Sequence, residues 1–271
     1  MRIALIADTH LSQRAPECLA NWHAAARAVA AAAPELTIHL GDITLDGEQQ
    51  PQELPFAATL LRAWPTPMHR VLGNHDMGTA SGEVPLSSHA HSRCLATFGP
   101  DHWCVTRRGW TLVGLNAQLF GTGSTAEASQ REWVHDLAQQ LGPSDRVALF
   151  THRPIRRPLR DDSMPTGRYV PADSARWLLE GPLRPVLRLV ASGHTHQAFD
   201  FVARGVRHLW VPSASFVISD ALQRPVGVKM VGLGWLTLDE SGCDYVPLVP
   251  PGARTHELTR LAVFRDVAHA R

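Results

Sequence analysis

Short apolar runs of strand length alternate with longer segments of helical periodicity through the N-terminal third of the chain, and each run ends on polar residues. Arg2–Ala7 is the first run, closed by Asp8-Thr9-His10. Glu17–Ala33 carries Leu19, Trp22, Ala26 and Val29 at helical spacing and predicts a helix that Pro34 terminates. Leu36–Leu40 reads as a second buried strand, followed by Gly41-Asp42, and Gln52–Ala63 as a second helix. A third strand, His69–Leu72, stops at Gly73, a residue that permits a sharp turn, and delivers Asn74-His75-Asp76. Strands alternating with helices indicate an α/β arrangement, in which ligand sites lie outside the carboxyl ends of the strands.

The pattern then changes. Gly78–Pro85 predicts a loop, Leu86–Phe98 a helix, and Trp103–Thr106 with Trp110–Asn116 a hairpin turning at Arg107-Arg108-Gly109. Gly121-Thr122-Gly123 opens a flexible segment before a helix from about Ser129 to Leu141. Arg146–Phe150 reads as a buried strand leading to Thr151-His152-Arg153-Pro154. Arg153–Pro171, rich in Pro and Arg and without periodicity, predicts a long loop of the kind that often serves as a lid or binding loop. Ala172–Leu179 reads as a helix, and Val186–Ala191 as a strand ending at Gly193-His194-Thr195-His196. Val206–Pro212, Val226–Leu238 and Asp244–Val249 read as further strands. Pro250-Pro251-Gly252 marks a boundary between a domain over 1–249 and a tail over 250–271, a candidate oligomerisation segment that leaves a homo-oligomer open.

Composition narrows the class. A chain of 271 residues can bury a substantial core. Its 26 Lys+Arg nearly balance 25 Asp+Glu, which gives no overall electrostatic reason to bind nucleic acid or an anionic membrane. Met1–Ala7 is too short for a secretory signal, and no apolar run approaches a membrane span. Cys18, Cys94, Cys104 and Cys243 lack metal-binding or disulfide spacing and read as reduced thiols, so the expectation is a cytoplasmic protein.

The chemistry sits in what the strand ends deliver: Asp8-x-His10, Asp42, Asn74-His75, His152 and His194-x-His196. In extended chain, residues i and i+2 point the same way, so each x-separated pair can converge on one region. Two carboxylates, a carboxamide and several imidazoles, with no thiolate, suit Mn²⁺, Zn²⁺ or iron. The set exceeds what one ion needs; two ions about 3.5–4 Å apart, sharing a carboxylate, would use it fully.

On these five stretches the sequence resembles the calcineurin-like metallophosphoesterases, in particular their class III cyclic-nucleotide phosphodiesterase and glycerophosphodiesterase branch. The order D-x-H, GD, GNH[DE], H, GHxH is matched from Asp8 to His196. The resemblance implies a four-layer αββα sandwich of two mixed β-sheets flanked by helices. It implies one metal on Asp8, His10, Asp42 and His196, and a second on Asp42, Asn74, His152 and His194, with Asp42 bridging. His75 would lie outside the metal shell, against a phosphoryl oxygen or the leaving group. Asp76 reads on its own as a group that braces its loop or orients a ligand histidine rather than binding metal. The ions would be divalent or trivalent Mn, Fe or Zn. Two divalent ions, two carboxylates and a bridging hydroxide leave a net charge of about +1, which favours an anionic phosphoester and in-line attack by that hydroxide.

The expected activity is hydrolysis of a small organic phosphodiester. A phosphomonoesterase, or a promiscuous phosphoester and phosphonate-ester hydrolase, is the alternative. A nuclease would need a local basic groove, and a non-catalytic scaffold would be expected to have lost ligands. Of 15 histidines, five fall in the motif stretches. His39 is expected to be a satisfied core group and the rest, His208 among them, to lie at the surface. Thr195 and Asp46 read as loop structure. Arg153, Arg156, Arg157, Arg160 and Arg168 form a basic run beside His152, balanced between a solvated loop and a grip on an anionic substrate group. Phe120 and Tyr169 could wall a nucleobase, although aromatic residues in loops more often pack.

Overall fold

The first strand shows the logic of the whole molecule. In β1 (Arg2–Ile6), Ile3 and Leu5 point to one face and Ala4 and Ile6 to the other, and all four are fully buried. A strand buried on both faces needs a layer on each side. The computed structural model describes residues 1–79, 86–159, 161 and 167–264. The chain continues through α1 (Pro16–Ala32), β2 (Leu36–Leu40), α2 (Glu53–Arg62), β3 (Met68–Val71) and a single turn, α3 (Asn74–Met77). Next come α4 (Ser88–Phe98), the hairpin β4 (Trp103–Arg107) and β5 (Trp110–Gly114), α5 (Thr125–Gln140), β6 (Arg146–Thr151) and α6 (Ala172–Glu180). β7 (Leu187–Ser192), β8 (Phe199–Ala203), β9 (Val206–Trp210), β10 (Leu233–Leu238) and β11 (Cys243–Leu248) complete the sheets.

One sheet has the order β11-β10-β1-β2-β3 and the other β4-β5-β6-β7-β9-β8. Both are mixed. β1, β2 and β3 run parallel while β10 pairs antiparallel with β1; β5, β6, β7 and β9 run parallel between antiparallel edges. The sheets face each other across Ile3, Leu5, Ile38 and Leu40 on one side and Leu112, Phe150, Leu189 and Leu209 on the other. The outer face of the first sheet is covered by α1, α2 and α4 through residues such as Val29, Leu54 and Phe98. The outer face of the second is covered by α5 and α6 through Val134, Leu137 and Leu178. The result is the expected αββα sandwich. Among the described residues, no helix is long and apolar enough to cross a membrane.

Local differences from the sequence reading have identifiable causes. α5 begins at Thr125 because Ser124 caps it, accepting from Glu127 N at 3.2 Å, while Glu127 itself accepts from Gly121 N and Gly123 N. Val226–Val231 is not a strand; it makes one bridge, Ala198 with Val228, and the ladder starts only at Leu233. β8 is a short edge strand absent from the sequence reading. The hairpin turns at Arg108 and Gly109, both with positive φ, matching the twist of the flanking strands. The loop expected over Gly78–Pro85 lies outside the described residues from Ala80 onward, as do Arg160 and the tail beyond Phe264. His208, expected at the surface, is buried: it sits in β9 with its ring 5.0 Å from that of Phe201, and burial pulls it down to about 4.

The space between the sheets makes the largest apolar demand. Phe150→Ala should destabilise the protein by about 3–5 kcal/mol through lost transfer energy and a cavity, read as a lower denaturant midpoint at unchanged slope.

Candidate metal centre

All the chemistry-bearing stretches leave the carboxyl ends of parallel strands: β1 into Asp8-Thr9-His10, β2 into Gly41-Asp42, β3 into α3, β6 into His152 and β7 into Gly193–His196. The residues do not converge by extended-chain alternation. Asp8 (φ 53°), His10 (47°), Asp42 (50°), His194 (68°) and His196 (52°) all adopt the left-handed region. That conformation is unfavourable for residues with a Cβ and persists where surrounding structure enforces it. The enforcement is visible: Asp8 N donates to Gly41 O, His10 N to Asp42 O, and the hydroxyls of Ser213 and Ser215 both donate to Asp8 O.

Glycines precede the acidic and imidazole groups because nothing larger fits. Gly73 is extended (φ −109°, ψ 178°), so the turn expected from sequence is not its reason. A Cβ there would lie 2.1 Å from Asp42 Oδ1 and 2.2 Å from Asp42 N. At Gly193 it would lie 2.7 Å from Asp8 Oδ2.

The side chains form two clusters that meet at Asp42. In the first, His10 Nε2 faces His196 Nε2 at 3.3 Å and Asp42 Oδ2 at 3.9 Å, and His196 Nε2 lies 3.5 Å from Asp8 Oδ1. In the second, His152 Nε2 is approached by Asp42 Oδ2 at 3.2 Å, Asn74 Oδ1 at 3.1 Å and His194 Nδ1 at 3.0 Å. His194 and His196 therefore diverge, one into each cluster. Asp8, His10, Asp42, His152 and His196 are at most 4% exposed. His75 joins from the side, with its donor atoms grouped with those of His10 and Asp42 and its ring 4.8 Å from His10, edge-on.

Backbone carbonyls fix which ring nitrogens face inward. His152 Nδ1 pairs with Leu40 O at 2.7 Å, His196 Nδ1 with Phe216 O at 2.8 Å and His75 Nδ1 with Leu45 O at 2.8 Å. Each such nitrogen must donate its proton, which turns Nε2 of the neutral ring into a lone pair aimed at the cluster. Asp76 accepts from Gly73 N within its own loop, and from Thr44 N and the Thr44 hydroxyl, which joins that loop to the one carrying Asp42. His39, buried as expected, accepts from Gly41 N and so donates to the Thr9 hydroxyl, which in turn donates to Ile43 O.

Phe216 was not legible from sequence. Its carbonyl holds His196, and its ring packs 4.8 Å from His10 and 4.7 Å from His196. Behind it lie Leu261 and Phe264, while Val217 bonds to His256 O and Leu258 N. No motif flags a phenylalanine whose partner lies 20 residues away in sequence.

The electrostatics describe a site built for a cation. Burial drives the Asp8 carboxyl upward, opposed by His152 and reinforced by Asp42. Burial also acts to raise Asp42, but the imidazoles of His152 and His75 override it and hold Asp42 well below its ordinary range. Burial lowers His10 and His194 strongly and His196 to about 4. It also opposes protonation of His152, which Asp42 nevertheless raises to about 9. Two oxygens and a ring nitrogen crowd one His152 nitrogen that can carry at most a single proton, and His10 Nδ1 has no partner among the described residues. Protons cannot satisfy this donor set; divalent cations can, and the His/Asp groups are able to hold them.

The calcineurin-like phosphoesterase family model matches residues 1–198. No curated protein matches the sequence. Among solved structures, a dimetal phosphatase from Danio rerio is similar at 14% identity and TM-score 0.62, covering 92% of this chain and 99% of its own. GAP50, described as the anchor in the inner membrane complex of Plasmodium, is 15% identical at TM-score 0.65, with 94% and 86% covered. The purple acid phosphatase PPD1 of yellow lupin (Lupinus luteus) is 12% identical at TM-score 0.63, covering 94% of this chain and 52% of its own. At these identities the likeness is one of fold.

Gly73→Ala should displace Asp42 and weaken Mn²⁺ binding by at least roughly tenfold while the protein stays folded, measured by calorimetry on metal-free protein; unchanged affinity would reject the close-approach account. The metal-free protein should also have a stability maximum in pH. His39 at about 3 and His196 at about 4 refuse protons that the unfolded chain takes up below 6.5, so stability falls as pH drops from there towards 4. The contribution of His152 is complete below 6.5 and lost as pH rises through about 9. Melting temperatures of chelator-treated protein across this range check both signs.

Proposed function

The chain belongs to the calcineurin-like phosphoesterase family, and from that premise we propose that it is a two-metal hydrolase of small organic phosphodiesters, of the cyclic-nucleotide or glycerophosphodiester type. The observation that carries the metal centre is the convergence of Asp42, Asn74 and His194 on one nitrogen of His152. We assign Asp8, His10, Asp42 and His196 to one ion and Asp42, Asn74, His152 and His194 to the other, with Mn, Fe or Zn all compatible with these ligands. Such ions would polarise a phosphoryl oxygen and make water acidic enough to attack near neutral pH.

The chain's own groups supply the rest. Asp42 is kept ionised by its imidazole neighbours, and its Oδ1 is held in place by His75 N at 2.9 Å. His75, its Nδ1 anchored on Leu45 O, keeps Nε2 for a phosphoryl oxygen or a leaving-group proton. His152 and His196, tethered to the carbonyls of Leu40 and Phe216, already present Nε2 to the centre. We read 1–249 as the catalytic domain. Residues 254–264 spend their described apolar side chains on Phe216 and its neighbours, which favours a bracing role for the tail over oligomerisation. Unpaired cysteines support a cytoplasmic location, and the near-zero net charge supports a small-molecule substrate over nucleic acid.

A phosphomonoesterase is the second reading, and one experiment separates them. Metal-free protein titrated with Mn²⁺ should hydrolyse bis(4-nitrophenyl) phosphate faster than 4-nitrophenyl phosphate; the reverse order would make it a phosphatase. Asn74→Ala and His152→Ala should each lower metal-dependent turnover by at least about a hundredfold, and wild-type rates in both would reject the ligand assignment.

A further inference from the structure

The basic run after His152 separates into different environments in the folded chain. Arg168 and Tyr169 both bond to Asp161 Oδ2, and Arg157 Nε donates to Asp161 O. Arg153 is different: it is 1% exposed, its Nη1 donates to Thr79 Oγ1 at 3.1 Å, and its Nε has no partner. No carboxylate among the described residues pairs with it. Arg156 likewise makes no hydrogen bond or ion pair with a described residue. A buried cation without a counter-charge is costly to fold and needs an anion to compensate it.

Both arginines line one cavity of about 720 Å³ between residues 153–157, residues 167–171 and α6. Its apolar wall comes from Ile155, Val170, Ala175 and Leu179. The carboxylate that borders it, Glu180, is already paired with Arg204 at 2.5 Å. Arg153 also ties the cavity to the metal centre: it follows His152 directly and bonds to Thr79 just beyond α3. Arg153 is thus the lining residue of the cavity that adjoins the half of the centre formed by Asn74, His152 and His194.

We propose that this cavity is an anion subsite, in which Arg153 and Arg156 receive a carboxylate or phosphate carried at the far end of a substrate whose reacting phosphoryl group faces the metal centre. The apolar wall would cover the aliphatic or aromatic body between the two charges. A guanidinium suits this role because its planar fork can bind either anion in bidentate fashion. The substrate role rests on the hydrolase reading; the anion site itself does not.

Two measurements test it. The fluorescent aromatic sulfonate 8-anilinonaphthalene-1-sulfonate, titrated into the metal-free full-length protein, should bind at one saturable site. Arg153→Met and Arg156→Met should each weaken that binding by roughly tenfold, with Arg153→Lys intermediate. With Mn²⁺ present, the 4-nitrophenyl phosphodiester of 3-hydroxypropanoate should be preferred over its neutral methyl ester by roughly tenfold in kcat/KM, and the arginine variants should erase the preference. No saturable binding, or binding indifferent to both substitutions, would overturn the subsite. An equal loss on both esters would place Arg153 at the reacting phosphoryl group and also overturn it. Arginine-dependent sulfonate binding without hydrolysis of either ester would keep the anion site and reject the hydrolase reading instead. Should Arg153→Met fail to fold, the rim variant Arg156→Met carries the test alone.

Discussion

Two carboxylates and a ring of imidazoles buried at the ends of five strands cannot be stable neighbours unless positive charge lies between them. Asp8 and Asp42 are at most 2% exposed, and each makes the other harder to ionise or depends on a protonated His152 to do so. A proton on His152 is a partial answer: it serves one of three atoms that reach the same nitrogen. Divalent cations, with several coordination positions each, answer the whole arrangement. Much of the surrounding structure is organised to hold this demand in place until it is met.

Holding it takes work from the whole sandwich. The five left-handed residues of the site are non-glycine, and their conformations survive because neighbouring strand ends bond to them. Glycines at 73 and 193 let backbone approach the Asp42 and Asp8 carboxylates closer than any side chain would allow. Carbonyls of Leu40, Leu45 and Phe216 choose the tautomers. The Phe216 carbonyl reaches its place only because the C-terminal segment packs behind it, so residues far outside the motifs contribute to the geometry of the centre.

The basic segment after His152 shows how one sequence feature divides into separate roles. Asp161 accepts from Arg157, Arg168 and Tyr169 and ties these described residues together, whereas Arg153 is buried against Thr79 and lines a cavity. A buried cation with no carboxylate partner among the described residues is the feature that marks the cavity it lines as a binding region.

The sequence by itself determined the strand–helix alternation and the stretches that meet at the site, because buried strands and their polar ends are written in local pattern; the four-layer class came with the family resemblance that those stretches carry. It also determined the roles of His39 as a core group and Asp76 as a brace for its loop. Tertiary structure decided the rest. That Gly73 serves close approach rather than a turn follows from where Asp42 arrives, 31 positions earlier in the chain. That His194 and His196 part into different clusters follows from left-handed backbone that alternation in an extended strand does not describe. Phe216 behind His196, His208 inside the second sheet and Arg153 without a counter-charge depend on which distant groups the folded layers bring within a few ångströms, and no local pattern carries that.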